Sequence, residues 1–323
     1  MFFQVLSFYI STKYCFFNYF AKLCSYLWVM IFSSLTNIGE VSSRFKRELK
    51  EQYTLPELQN FLYLIFQNLM GLSKTDIHIN HGKEVPDYII IKINEIISEL
   101  KEHKPIQYIL GETEFYGCNI KINQNTLIPR PETEEIVKWI LDETDGNSCK
   151  IIDIGTGSGC IAVALAKNNI SAKVFASDYS EEALKVARTN AGINNTDITF
   201  FNFNINSPGT SGILDIYDII VSNPPYVTES EKRQMKENVL KYEPHDALFV
   251  PDSDPLIFFR AILQFAQSKL QPGGDIFFEI NERFGEQMVQ LLEEFNYHHI
   301  ILRKDINNKD RMIKGTKKYE NVS

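Results

Sequence analysis

Beyond residue 131 the chain alternates between two hydrophobic periodicities. Six short β-forming runs, IIDIG, KVFASD, ITFFNF, YDIIVS, DIFFEI and HHIILR, are separated by stretches with helical spacing. Strands that take turns with helices point to a doubly wound α/β sheet rather than to a sandwich or a bundle. In such sheets ligands bind outside the carboxyl ends of the strands, so the residues just after each run are where chemistry is to be sought.

The remaining residues imply a second unit, since 323 residues exceed what one average domain holds. Residues 40–104 read as helical. A charged amphipathic run covers 40–53, and Thr54-Leu55-Pro56-Glu57 has the form of a capping box with proline in the first turn. The helix that this box opens should stop at Gly71. A third helix is expected over 87–103, with Ile89, Ile93, Ile96, Ile97 and Leu100 at helical spacing and Pro105 ending it. No catalytic side chains mark this bundle, which fits a docking unit better than a site. Between 106 and 130, Gly111 and Gly117 punctuate alternating apolar residues, which suggests a β-hairpin linker.

Composition narrows the class. Hydrophobic residues make up 44% and charged residues 23%, which argues against a disordered chain. The net charge of −8 weighs against sequence-independent binding of nucleic acid, although it leaves room for a local basic patch. Cysteines 15, 24, 118, 149 and 160 form no CxxC pair, so neither a zinc site nor a disulfide framework is expected, and a cytoplasmic, reduced setting is.

The first 36 residues stand apart. Residues 1–39 hold Lys13 and Lys22 and no acid, and they are rich in Phe and Tyr. The apolar stretch 23–35 falls short of the roughly 20 residues that a spanning helix needs. It is a poor signal peptide too, because no positive charge precedes it in the first ten residues and no small-residue cleavage site follows. An alternative start at Met30 is the favoured reading; a membrane-surface helix and a genuine extension are the others.

Three motifs carry chemistry. Residues 153–159, Asp153-Ile154-Gly155-Thr156-Gly157-Ser158-Gly159, lie between a strand and the helix CIAVALAK. Glycines there let the chain turn sharply and let a ligand approach the backbone. The spacing GxGxG differs from the GxGxxG of nicotinamide and flavin folds, and a plain tight turn remains an alternative. Asp178 ends the next strand, where an acidic residue accepts hydrogen bonds from ribose hydroxyls; it could equally cap the following helix. Taken together these features suit a nucleoside cofactor without a phosphate requirement, as S-adenosylmethionine is.

The third motif is Asn223-Pro224-Pro225-Tyr226, after the run YDIIVS. Two adjacent prolines fix the backbone and remove its N–H donors. What remains are acceptors, the Asn223 side-chain oxygen and the Pro224 carbonyl. An NH2 group donates two hydrogen bonds, so two fixed acceptors hold its nitrogen with the lone pair outward. Tyr226 offers a ring face to a planar group. The motif points to methyl transfer onto a planar, conjugated NH2.

In these motifs, and in PIQYILGETEFYG (105–117), TLIPRPETE (126–134), EPHDAL (243–248) and the closing DINNKDRMIKG (305–315), the chain resembles the peptide-chain release factor glutamine methyltransferases, the PrmC/HemK family. The resemblance spans about residues 40–318. It implies an α/β fold: a seven-stranded, Rossmann-like class I S-adenosylmethionine-dependent methyltransferase domain over 131–323. Before it come a small helical substrate-docking domain over 37–105 and the hairpin linker over 106–130, with 1–36 a non-family extension. It also implies transfer to the side-chain amide of the Gln in the release factors' Gly-Gly-Gln loop. Residues Gly155, Thr156, Gly157, Ser158, Gly159 and Asp178 would bind the cofactor. Asn223 would touch cofactor and substrate, while Pro224, Pro225 and Tyr226 would frame the glutamine amide as catalytic and substrate-binding residues. Residues 130–134 would sit near the methionine end of the cofactor. Where family members often carry Asp and an aromatic after the third strand, this chain has Asn204-Ile205, and neither is counted as a contact. A cytoplasmic monomer is expected, with release factors as partners, no metal, no membrane and no stable nucleic-acid binding. The alternative is an amino methyltransferase acting on adenine or guanine of nucleic acid, which would need base flipping and a basic channel. A non-catalytic binding module of the same fold is the other reading, and the intact Asn-Pro-Pro-Tyr opposes it.

Overall fold

The computed structural model describes residues 37–207 and 215–319. The readings made for 1–36, including the alternative start at Met30, therefore lie outside the described residues. The chain divides into two compact units, one ending at Leu110 and the other starting at Gly111.

The first unit is helical. Helix α1 (Ile38–Leu49) starts at Asn37, whose side chain accepts from the Glu40 N–H at 3.0 Å. It buries Ile38, Val41, Phe45 and Leu49, three or four residues apart, as one apolar stripe. Helix α2 (Leu55–Met70) opens with the Thr54–Glu57 capping box and stops at Gly71, whose φ of 64° lies in the left-handed region. A short helix α3 (Lys74–Ile79), capped reciprocally by Ser73 and Asp76, was not foreseen, because six residues carry too little periodicity to read. Helix α4 (Asp87–Lys101) buries Ile89, Ile93, Ile96, Ile97 and Leu100. A helical turn α5 (Ile106–Leu110) follows and sends Ile106 into the same core. The hairpin is accordingly shorter than the 106–130 segment read from the sequence.

In the second unit that hairpin comprises β1 (Glu112–Phe115) and β2 (Cys118–Lys121). Its two turn residues, Tyr116 and Gly117, both have positive φ, the geometry whose twist suits a two-residue hairpin. Helix α6 (Pro131–Thr144) then leads into alternating β3 (Lys150–Ile154), α7 (Cys160–Asn168), β4 (Lys173–Asp178), α8 (Glu181–Ile193) and β5 (Ile198–Asn202). Next come β6 (Tyr217–Ser222), the two-residue strand β7 (Val227–Thr228), α9 (Glu237–Tyr242) and the equally short β8 (Phe249–Val250). The chain closes with α10 (Ile257–Lys269), β9 (Leu270–Glu279), α11 (Gly285–Glu294), β10 (Tyr297–Lys304) and β11 (Asp310–Lys317).

Seven strands form one sheet in the order β10-β11-β9-β6-β3-β4-β5. Strands β5, β4, β3, β6 and β9 are parallel, and β11 runs antiparallel between β9 and β10. The strand missing from the six-run reading is β11, which begins inside the closing motif DINNKDRMIKG and runs two residues past it.

Both faces of the sheet are covered. Neighbouring Phe277 and Phe278 on β9 point to opposite faces, as adjacent strand residues must. Phe277 meets Trp139 of α6 edge-on at 5.3 Å, and Phe278 meets Phe259 of α10 at 5.2 Å. One apolar cluster combines Ile152, Ile154, Ile220 and Ile276 of the sheet with Ile262 and Leu263 of α10 and Met288 and Leu292 of α11. Strand order reverses on either side of β3, between β4 and β6. That is the switch point where a crevice opens at the carboxyl ends of the strands.

Candidate active site

Three segments converge at this switch point. After β3 the chain turns into α7 through Gly155, Gly157 and Gly159, with φ of 72°, 55° and 79°. L side chains rarely take such values, so glycine is required for the turn. Gly159 is constrained twice, since a Cβ there would stand 2.9 Å from Cβ of Ala187 on α8. The N–H groups of Gly155 and Thr156 donate to the Ser177 carbonyl at 2.8 and 2.9 Å, pinning the turn to the end of β4. From α8, the buried Asn190 donates to the Ser158 carbonyl and pairs with both backbone groups of Lys121, tying the glycine turn to the hairpin.

Asp178 closes β4. Its Oδ2 accepts from the Gly157 N–H and its Oδ1 from the Ser180 N–H, both at 2.9 Å. The cap of α8 is Ser180, whose hydroxyl accepts from the Ala183 N–H, so the capping alternative for Asp178 does not hold. Each carboxylate oxygen retains a further lone pair, and Asp178 lines the crevice. Burial raises its pKa against the pull of these two backbone donors.

Asp153 lies one layer deeper, 1% exposed. Its Oδ2 accepts from the Thr156 hydroxyl at 2.5 Å, while Oδ1 has no hydrogen-bond partner within the protein. Burial pushes this carboxyl up to about 7; the Thr156 hydroxyl opposes the rise and the charge of Asp178 adds to it.

The Asn-Pro-Pro-Tyr segment follows β6. Asn223 Nδ2 donates to the Thr133 hydroxyl at 3.3 Å, and that hydroxyl donates to Glu279 Oε2 at 2.6 Å. Glu279, at the end of β9, also accepts from the Tyr226 hydroxyl at 2.9 Å. Asn223, Pro224 and Pro225 line the crevice, but Tyr226 is not among its lining residues. Its ring packs against the apolar core, and its hydroxyl is captured by Glu279. The ring-face role read from the sequence therefore gives way to an anchoring one. The pKa of Tyr226 is raised well above the ordinary value, chiefly by burial and by the Glu279 charge, so the phenol stays protonated and donating.

Also lining the crevice, Arg130 meets both oxygens of the buried Glu243 carboxylate at 2.7 and 2.8 Å. This pair holds residues 244–247 beside the crevice, where Tyr179 adds a hydrogen bond to Asp246 at 3.2 Å.

The enclosed volume is about 680 Å3, within the range of small-molecule and cofactor sites. Its walls include Gly155, Thr156, Gly157, Ser158, Asp178 and Asn223. Gly159 lies behind the wall, at the close approach to α8. Asn204 and Ile205, set aside in the sequence reading, also face the volume, as do Phe203 and Thr133. Glu279 was missed altogether. The signal was present, a carboxylate directly after the apolar stretch Ile276-Phe277-Phe278, but its partners come from segments far apart in sequence. Cys160 borders the space too, yet burial pushes its thiol up to about 12, so it is no nucleophile near neutral pH.

The unit suits a nucleoside-bearing sulfonium ligand. Glycines 155 and 157 leave open space where side chains would project, and Asp178 presents acceptors to hydroxyls.

Comparison with known proteins places these features. Residues 40–111 match the PrmC N-terminal domain, and residues 135–245 match the Methyltransferase small domain. The release factor glutamine methyltransferase of Flavobacterium psychrophilum is 45% identical over 86% of this chain and 98% of its own length. Its namesake from Bacteroides thetaiotaomicron is 41% identical over 85% and 99%, and that of Streptococcus pneumoniae 40% over 80% and 90%. Among solved structures, the hMettl16 catalytic domain in complex with MAT2A 3'UTR hairpin 1 superposes with a TM-score of 0.52 at 17% identity. That match covers 65% of this chain and 78% of that one and speaks to the fold alone. With relatives aligned over nearly their whole length, and with the glycine turn and the Asn-Pro-Pro-Tyr segment at one crevice, the chain belongs to the release factor glutamine methyltransferase family.

Proposed function

We propose that the chain transfers a methyl group from S-adenosylmethionine to the side-chain amide nitrogen of the glutamine in the Gly-Gly-Gln loop of peptide-chain release factors, in the cytoplasm. The observation that carries this reading is the shared cavity: the glycine turn and Asp178 line one part of it, and Asn223-Pro224-Pro225 another. Residues 155–158 and Asp178 would hold the nucleoside portion, with Phe203, Asn204 and Ile205 beside it. Bound there, the cofactor supplies an electrophilic methyl on a positively charged sulfur.

The protein's own part is positional. A glutamine amide is a weak nucleophile because its lone pair is delocalised into the carbonyl. Acceptors on its two N–H bonds enrich the nitrogen and favour pyramidal geometry. Asn223 Oδ1 is one such acceptor, since its Nδ2 is engaged by Thr133. The Pro224 carbonyl is the other, in a backbone that two prolines hold fixed and strip of donors. No charge builds up as neutral amide meets cationic donor, so alignment and exclusion of water account for most of the acceleration. The proton can leave after transfer, and a strong general base is not needed.

The test is mass spectrometry of release factor co-expressed with the protein, beside nucleic acid from the same cells. One added methyl on the Gly-Gly-Gln glutamine supports the reading. An unmodified glutamine together with methylated nucleic acid overturns it.

A further inference from the structure

We infer that Glu279 is a positioning residue that dictates, through the Thr133 hydroxyl, which end of the Asn223 carboxamide faces the substrate. The inference rests on the methyl-transfer reading above and assigns a role to a carboxylate with no contact to the cavity.

The reasoning follows the direction of each hydrogen bond. An ionised carboxylate has acceptors only. Glu279 is 1% exposed, and its two oxygens face two hydroxyls, Thr133 at 2.6 Å and Tyr226 at 2.9 Å. While the carboxylate is ionised, both hydroxyls donate to it. A hydroxyl has one proton, so Thr133, having given its own to Glu279, has only lone pairs left for Asn223. The Asn223 atom 3.3 Å away must then be the NH2 nitrogen. That leaves Oδ1, and not a second donor, for the substrate amide. Were the carboxamide reversed, its NH2 would confront the NH2 of glutamine, and neither could accept.

The carboxylate is supported from behind. Burial raises the pKa of Glu279, and the Thr133 and Tyr226 hydroxyls and the charge of Arg311, in the closing motif, oppose the rise. Arg311 is held by the buried Asp305 at 3.1 Å and by donation to the Ile280 carbonyl at 3.2 Å. The relay thus runs from Glu279 through Thr133 to Asn223, with the Arg311 charge behind the carboxylate.

A neutral isostere breaks the logic without changing shape. In Glu279→Gln the new NH2 can donate to Thr133, whose proton is then free to point at Asn223, so the carboxamide can reverse. In Thr133→Val the intermediate hydroxyl is gone, whereas Thr133→Ser keeps it. The experiment measures single-turnover methylation of purified release factor and, separately, cofactor affinity by calorimetry, in wild type and the three variants. We expect Glu279→Gln and Thr133→Val to slow transfer at least tenfold with cofactor Kd within threefold of wild type. Thr133→Ser should recover most of the rate lost in Thr133→Val. If Glu279→Gln fails to fold, the Val and Ser pair decides. Thr133→Val at wild-type rate, Ser as slow as Val, or a slow rate explained by lost cofactor binding each overturns the relay while leaving the methyltransferase reading intact. A wild-type protein inert towards release factor overturns both.

Discussion

Arg130 and Glu243 join two distant segments of the catalytic unit: one guanidinium nitrogen lies 2.7 and 2.8 Å from the two carboxylate oxygens. The pair is asymmetric. The Glu243 side chain is 1% exposed and the Arg130 side chain 33%, so the acid depends on its partner for compensation far more than the base does. Removing Arg130 leaves an unpaired carboxylate inside the protein, which costs several kcal/mol where a pair is fully buried and somewhat less at this partly open site. Glu243→Gln leaves only a neutral amide. We therefore expect Arg130→Ala to lower the melting temperature more than Glu243→Gln does. Both should raise the KM for the cofactor, because residues 244–247 wall the cavity. Calorimetric melting with steady-state kinetics checks this, and equal destabilisation by the two variants would refute the asymmetry.

Asn223→Ala removes the acceptor from the substrate side and leaves the glycine turn and Asp178 untouched. Loss of one preorganised hydrogen-bonding group in an active site costs on the order of a hundredfold in turnover. We expect at least that loss with cofactor binding still measurable by calorimetry. Unchanged turnover in the variant would remove Asn223 from the mechanism.

Gly159→Ala combines two penalties. Its φ of 79° strains any L residue, and the new methyl meets Ala187 Cβ at 2.9 Å. Each effect is worth about 1 kcal/mol or more. Measured in an Ala187→Gly background, Gly159→Ala should cost less than in wild type, with the φ strain remaining. That background removes the 2.9 Å contact but leaves Ala187 Cα at 3.2 Å, and it carries its own helix-glycine cost in both proteins. No cost of Gly159→Ala in that background, by denaturant unfolding, would show that backbone conformation at 159 is unimportant.

The elements legible in the sequence share one property: their determinants are local. Thr54, Glu57 and Gly71 bound a helix by their own hydrogen bonds and φ, and IIDI followed by Gly155, Gly157 and Gly159 marks a strand and a turn within a few residues. Strand β11 was legible only as a motif, because its residues Asp310, Arg311 and Lys314 are charged. Their partners, Lys304, Asp305, Glu143 and Asp275, come from neighbouring strands, the adjoining turn and helix α6. The site divides in the same way. Gly155, Asp178 and Asn223 could be named because each occupies a fixed place after a strand. The hub at Glu279 could not, since Thr133 and Tyr226 lie 146 and 53 residues from it in the chain. Tyr226 was given a face-on role because the sequence did not show the carboxylate that takes its hydroxyl.

Asp153 makes stability of the cofactor-free protein depend on pH in an unusual direction. Most acids in folded proteins have lowered pKa values and lose stability as pH falls. Asp153 is raised from 3.8 to about 7, so the folded state favours its neutral form. The folded protein then binds more protons than the unfolded chain between these values, and linkage makes unfolding easier as pH rises. The contribution is fully present below about pH 4 and is lost as pH climbs through 7. Asp153→Asn is neutral at every pH and lacks this loss. The melting temperature of Asp153→Asn relative to wild type should therefore increase between pH 5 and pH 8, both proteins being free of cofactor. A difference between the two proteins that stays flat across that range would mean that Asp153 is ionised throughout.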